Sequence, residues 1–310
     1  LNDVLDENMT LHPLKQQREL SKELRQIGLG IMGLADMFIK MGIAYGSDKS
    51  IELIHKIGHV LVNEALRTSA LLAEKDGPFP RYRAEKVLAS PFIKENADDD
   101  VLELIKKHGL RNSQLLTIAP TGSISTLIGC SNGVEPIFQI SYIRKSESLH
   151  DEDTYYTVYT DIIRDLMEAR NITREEDLPD FVITTSNLDY KARIRVQSAW
   201  QNYIDASISS TVNVPNEFSV EEVEDLYVYA WKMGLKGITI YRDGCARSGI
   251  LTTSKSDKGN RIKELQDELN REIAKQMTED PDTCPMCGGT MNHSGGCAEC
   301  QDCGYSPCAI

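Results

Sequence analysis

Six of this chain's 8 cysteines crowd into its last 27 residues: Cys284, Cys287, Cys297, Cys300, Cys303 and Cys308. Thiolates in C-x-x-C pairs are ligands for tetrahedral zinc, which takes four of them, commonly as two knuckles. Six thiols exceed one such site by two, and a surplus pair suits thiol–disulfide exchange. Two partitions fit the spacing. In the first, Cys284, Cys287, Cys300 and Cys303 bind zinc, both C-x-x-C pairs being followed by glycine, and Cys297 and Cys308 are left over. In the second, Cys284, Cys287, Cys297 and Cys300 bind zinc, and Cys303 and Cys308 remain as a dithiol at C-x-x-x-x-C spacing. A plainer reading is a zinc ribbon that only mediates oligomer contacts, since closed four-thiolate sites are normally structural. The tail offers almost no apolar core of its own. Structural zinc, worth roughly 10–16 kcal/mol of apparent folding energy in small modules, would give it order.

A second group lies at Pro120-Thr121-Gly122-Ser123-Ile124, between the apolar run Leu115–Ile118 and a segment able to open a helix. A helix start presents unpaired N–H groups and the positive end of the dipole. Thr121, Ser123 and Ser125 add hydroxyls, and Gly122 allows close backbone approach, a combination that suits a phosphate. No lysine follows the glycine, so this is no P-loop. An ordinary Ser/Thr-rich helix cap accounts for the same residues.

Other signals are weaker. Gly28-Leu29-Gly30-Ile31-Met32-Gly33 matches G-x-G-x-x-G, but a dinucleotide site needs that motif directly after a strand. Here it lies within a helical pattern, so the glycines read as places where another element comes close. Cys130 reads as a small packed residue and Cys245 as a surface thiol. Glu135 is either an acid behind the site or an anchor for its loop. The 6 histidines show no common ligand spacing, although His55 and His59 stand at i, i+4.

The elements that must position these groups follow from periodicity. Leu20, Leu24, Ile27, Ile31, Leu34 and Phe38 predict one helix over 14–42. A second runs from Asp48 to Lys75, and a third from Asp99 to His108 inside an irregular stretch, 80–113. Strands are expected at Leu115–Ile118, Ile137–Ile143, Phe181–Thr184, Ser210–Val214 and Gly237–Tyr241, with helices over 154–169, 191–206 and 219–233. Helices alternating with short apolar strands indicate α/β architecture with largely parallel pairing. The boundaries fall at 1–251 for the α/β part, 252–283 for a polar linker (252–260) and a charged helix (261–277), and 284–310 for the cysteine tail. A net charge of −13 disfavours nucleic acid. There is no run of 18 apolar residues for a membrane span, and clustered cysteines without a signal peptide fit a reducing, cytoplasmic setting.

Four ordered segments together resemble the catalytic subunit of ribonucleotide reductase. Pro120–Ser125 followed by Asn132-Gly133-Val134-Glu135-Pro136 resembles its P-T-G-[ST]-I-S loop and N-G-[IV]-E-P segment. Arg25–Gly33 is similar to its R-x-I-G-L-G-V-M-G stretch, Ser210–Asn216 to its T-V-N-L-P-N strand, and Lys236–Gly244 to its K-G-x-T-x-Y-R-D-G barrel strand. The resemblance runs over about residues 1–251. It implies part of a ten-stranded α/β barrel, with Pro120, Thr121, Gly122, Ser123 and Ile124 holding substrate phosphates and Tyr241 near the active site.

The oxygen-dependent class relays its radical through adjacent tyrosines, and here that pair is Ile240-Tyr241. Gly304-Tyr305 lacks the Arg-Val of a glycyl-radical site, since Gln301-Asp302 stands there. The cysteine tail resembles the adenosylcobalamin-dependent class, which implies that cofactor in the complete enzyme. Cys303 and Cys308 resemble the terminal shuttle pair of that class, with Cys284, Cys287, Cys297 and Cys300 on zinc. The finger-loop motif N-x-C-x-E does not occur, so the chain is expected to be a C-terminal part, inactive alone, that completes a barrel with an N-terminal half. Expected partners are a ribonucleotide, that other half, a thioredoxin-like or other dithiol reductant and a second copy of the chain. The alternative is a zinc-ribbon oligomerisation module on a non-catalytic scaffold of the same shape.

Overall fold

The computed structural model describes residues 1–147, 153–243, 284, 287–294, 297–303, 305 and 306. Of residues 142–147, 153–158, 293, 294 and 297–299 it describes the backbone alone. The expected linker 252–260 and helix 261–277 lie outside the described residues, as do Cys245 and Cys308. The chain divides into two compact units, one of residues 1–140 with 159–248, the other of 141–158 with 249–310.

The first unit is built on α4 (Asp48–Asp76) and α10 (Tyr190–Gln201). Ser47 caps α4 by accepting from Ser50 N. Ile54, Gly58, Val62, Leu66, Ala70 and Ala73 then form one buried stripe at four- and three-residue steps. Gly58 is where α4 meets the ring of Tyr203, since a Cβ there would stand 2.3 Å from it. The stripe packs on α7 (Asp99–His108) and α10. Helix α10 is buried nearly all round because it also meets β3 (Thr211–Val214) and α11 (Val220–Lys232). Ser219 and Glu222 close a capping box at the start of α11.

Extended segments line up in parallel beside these helices. Leu29 bridges Leu116, Ile118 bridges Ile208, and β3 pairs with β4 (Thr239–Arg242) from Thr211↔Thr239 to Val214↔Arg242. A separate parallel bridge joins Ile137 and Thr184. Val212 and Val214 point into a cluster with Ile194, Leu226 and Ala230. Thr211, Asn213, Thr239 and Tyr241 therefore share the opposite, polar face of the β3–β4 pair. The parallel α/β reading holds on these pairings.

Two helix expectations do not. The span 14–42 is broken into α2 (Lys15–Leu24) and α3 (Leu34–Lys40), with residues 25–33 extended. Arg25 ends α2 in the left-handed region at φ 49°. The chain then hydrogen-bonds to Gln114 and Leu115 from Ile27 and Leu29. Helical spacing of apolar residues persisted through a segment whose backbone bonds go to a neighbour. The span 154–169 is β2 (Asp153–Tyr159), which pairs with β1 (Ser141–Glu147), followed by α9 (Asp161–Arg170). Tyr, Thr and Val in succession favour the pleated strand.

In the second unit, β5 (Met291–Ser294) and β6 (Cys297–Cys300) form an antiparallel hairpin with Met291 opposite Cys300 and Ser294 opposite Cys297.

Candidate functional site

The turn at 119–124 leaves the carboxyl end of the segment that pairs with Leu29 and Ile208. In open α/β sheets that is the end where ligands bind. Helix α8 (Gly122–Ile128) begins there, with Pro120, Gly122, Ser123 and Ile124 exposed and Thr121 half-buried. The loop is tied internally. Thr121 has φ 53°, an outlier for a β-branched residue. Its Oγ1 accepts from Gly133 N at 2.9 Å. Ser125 is fully buried, hydrogen-bonded to the Gly122 carbonyl and to Asn132. Of the three hydroxyls the sequence offered, Ser123 alone faces solvent while Thr121 and Ser125 hold the loop's shape.

The segment that follows α8, residues 130–136, is pinned more firmly still. Ser131 N donates to Asp36 at 2.6 Å, and Ala35 N donates to Ser131 Oγ at 3.2 Å. The Tyr45 hydroxyl donates to Val134 O. Burial pushes the Tyr45 phenol well above its ordinary pKa, so it stays a donor. Glu135 Oε1 accepts from Thr211 N at 3.1 Å and pairs with Arg193 Nη2 at 3.0 Å. Glu135 is thus an anchor between the loop and β3. Tyr241 lies on β4 opposite Asn213, half-buried, on the polar face of the pair. Cys130 is half-buried beside Gly33, and burial followed by the charge of Asp36 raises its pKa, which keeps it a thiol.

In the second unit, Cys284, Cys287, Cys300 and Cys303 bring four Sγ atoms within 4.8 Å of one another. Cys284–Cys303 and Cys287–Cys300 stand 3.7 and 3.5 Å apart. A tetrahedron with zinc–sulfur bonds of about 2.3 Å has edges of about 3.8 Å, so this donor set fits zinc. Within the cluster the thiols share protons: backbone N–H groups of Cys303 and Asp302 lower Cys300 to about 7, while Cys287, against the lowering pull of the Gly289 N–H, is pushed up to about 12 by hydrogen bonds with neighbouring thiols. Cys303, which the resemblance pairs with Cys308 in a relay, has its Sγ in this four-thiol cluster, and Cys308 lies outside the described residues. The hairpin supplies a physical reason. Cys297 pairs with Ser294 at the far end of β6, about 10 Å of strand from Cys300, whereas Cys303 follows Cys300 on the turn 301–303.

The description "Ribonucleotide reductase, barrel domain" matches residues 1–241. The chain belongs to the ribonucleotide reductase barrel family. A vitamin B12-dependent ribonucleoside-diphosphate reductase of Thermoplasma acidophilum is 30% identical, with 91% of this chain and 35% of that protein covered. One of the same name from Mycobacterium tuberculosis is 29% identical over 82% of this chain and 36% of that protein. The chain therefore spans about a third of the length of these relatives. A solved structure, the Actinobacillus ureae class Id ribonucleotide reductase alpha subunit, superposes with a TM-score of 0.60 at 21% identity, covering 79% of this chain and 45% of that one. That likeness bears on the fold.

For a reductase barrel, the glycine motif now has a structural account. A Cβ on Gly30 would stand 2.2 Å from the Thr117 carbonyl oxygen, and one on Gly28 2.5 Å from Thr117 Cγ2. The glycines admit the adjacent strand, as expected, but from an extended segment instead of a helix. Sequence reading passed over Arg193 and Asp205. Arg193 had a usable signal, a cation on the same helical stripe as Val196, Gln197 and Trp200. Asp205, which accepts from Leu115 N and Leu116 N at 2.8 and 2.7 Å, had none.

Proposed function

We propose that this chain is the C-terminal part of an adenosylcobalamin-dependent ribonucleotide reductase. It would contribute the substrate-phosphate loop and a zinc-held cysteine tail to a ten-stranded barrel completed by an upstream half. One observation carries the reading: the loop 120–124 opens at the carboxyl end of parallel segments in a chain of this barrel family. In that reading Pro120, Thr121, Gly122, Ser123 and Ile124 cradle the phosphates, through backbone N–H groups at the start of α8 and the exposed Ser123 hydroxyl. In the same reading Tyr241, on the polar face of the β3–β4 pair opposite Asn213, would face the substrate.

The names of the relatives support adenosylcobalamin, whose cobalt–carbon bond would supply the radical in the complete enzyme. Two open cavities of about 400 Å3, one walled by Arg81, Arg83 and Lys86 and one by Asp100, Glu103 and Lys106, do not suit a corrin. No residue of this chain is assigned to hold it. Zinc is assigned to Cys284, Cys287, Cys300 and Cys303 as a ribbon-like module, on the four-thiol geometry. Cys297 and Cys308 are then the surplus pair. One thiolate of the pair attacks the active-site disulfide left by each turnover, and the second resolves the mixed disulfide. The pair leaves oxidised and the active site reduced. A thioredoxin-like dithiol in a reducing cytoplasm would restore the pair.

The test is reconstitution. The chain joined to its upstream half, with adenosylcobalamin and a dithiol, is expected to convert ribonucleotide to deoxyribonucleotide, and the chain alone is not. Cys308→Ser should abolish turnover with a thioredoxin-type reductant yet spare one stoichiometric reduction. Inactivity of the reconstituted wild type would overturn the reductase assignment. Unchanged turnover in Cys308→Ser would remove the relay and leave the tail as an interaction module.

A further inference from the structure

We propose that Arg193 and Glu135 are positioning residues that set the conformation of the phosphate loop from behind. The inference rests on the phosphate-loop reading above and names what holds that loop in its binding shape. Arg193 is 3% exposed, on the central helix α10. Its Nη2 lies 3.0 Å from Glu135 Oε1, and this is a cation taken almost wholly out of water. All three guanidinium nitrogens, Nε, Nη1 and Nη2, are buried without a hydrogen-bond partner among the described residues, so its contact with Glu135 is an ion pair and not a hydrogen bond. An unpaired buried cation is costly, so the Glu135 carboxylate, its ion-pair partner among the described residues, is held hard. The same Oε1 accepts from Thr211 N, which fixes Glu135 to the first residue of β3.

From Glu135 the constraint passes into the loop by short steps. Glu135 N donates to Asn132 O at 2.7 Å, closing the turn 132–135. Inside that turn, Gly133 N donates to Thr121 Oγ1. Thr121 is the N-cap of α8, and its backbone lies in the left-handed region, unfavourable for a branched side chain. Strain of this kind persists only where surrounding structure over-determines it. Arg193 and Glu135 are the buried end of that determination, and neither needs to touch substrate.

Three variants test it. Arg193→Met removes the cation, Glu135→Gln keeps an acceptor for Thr211 N but leaves Arg193 unpaired, and the double variant restores a neutral pair. Amide hydrogen exchange over 119–136, referred to α4, is one readout. Affinity for inorganic pyrophosphate by calorimetry is the other. Arg193→Met should speed exchange in the loop and weaken pyrophosphate, each roughly tenfold or more for breaking a buried ion pair, with α4 unchanged. The double variant should recover the melting temperature but not the loop's protection. Recovery of both in the double variant, or exchange that rises equally in α4 and the loop, makes the pair merely structural and overturns the proposal. If the unaltered chain fails to bind pyrophosphate while Arg193→Met still loosens the loop, the phosphate reading falls and the positioning role stands.

Discussion

Asp205 concentrates two backbone hydrogen bonds on one partly buried carboxylate, taking Leu115 N and Leu116 N where the strand toward the phosphate loop begins. Removing it leaves two N–H groups without an acceptor. Asp205→Ala should cost about 3 kcal/mol in urea unfolding, and Asp205→Asn clearly less. Burial raises the Asp205 pKa, against the lowering pull of those N–H groups. The sign follows from linkage. The folded state holds the proton more tightly than the unfolded one, so stability is fully present below the unfolded carboxylate value, about 3.9. It is lost as pH rises through the folded value. Asp205→Asn should flatten that decline, and an unchanged pH profile would contradict it. At this scale the sequence was legible where a motif spans neighbours in the chain, as at Pro120–Ile124. It was silent where the partner comes from 90 residues away, as Asp205 is from Leu115.

At the scale of elements, Gly30 decides whether two parallel segments can touch. A methyl group there meets the Thr117 carbonyl at 2.2 Å, and backbone does not yield as a side-chain end does. Gly30→Ala should therefore destabilise by about 3 kcal/mol, at the upper end of overpacking costs. Ser219→Ala, which opens the capping box of α11, should cost about 1 kcal/mol. Equal small losses in the two variants would mean the segments part freely. The same contrast explains what the sequence disclosed. Helices α4, α7 and α11 announce themselves through local caps and stripes, and Thr211–Val214 and Thr239–Arg242 through branched residues. Residues 25–33 did not, because apolar spacing that suits a helix also suits an extended segment buried by a neighbour. Nothing local says that Ile27 and Leu29 bond to residues 114 and 115.

Across the whole molecule, the two units rest on different physics. The first has a large continuous apolar core running from Leu34 to Ile208. Among the described residues of the tail, the core is Cys284, Met291 and Cys300, with Cys303 and Tyr305 packed against them. Three buried side chains, two of them on the hairpin and Cys284 before it, are a small core against the entropy cost of ordering the described part of the tail. Four thiols lie at a spacing that fits zinc, and a bound ion would add the missing stabilisation. The C-x-x-C pairs pointed to a four-thiol site but left its membership open, because which cysteines meet depends on how the hairpin folds back, and its register sets Cys297 opposite Ser294. The chain should bind one zinc per molecule. A strong chelator should abolish amide protection over Met291–Ser294 and Cys297–Cys300 while α4 and α10 keep theirs. Cys303→Ser should weaken zinc sharply and Cys297→Ser should not. Were Cys297→Ser the damaging change, the metal would be held by the other partition and Cys303 would return to the redox pair. Low pH should release zinc in the same manner as chelation, since each ligand must lose its proton to bind.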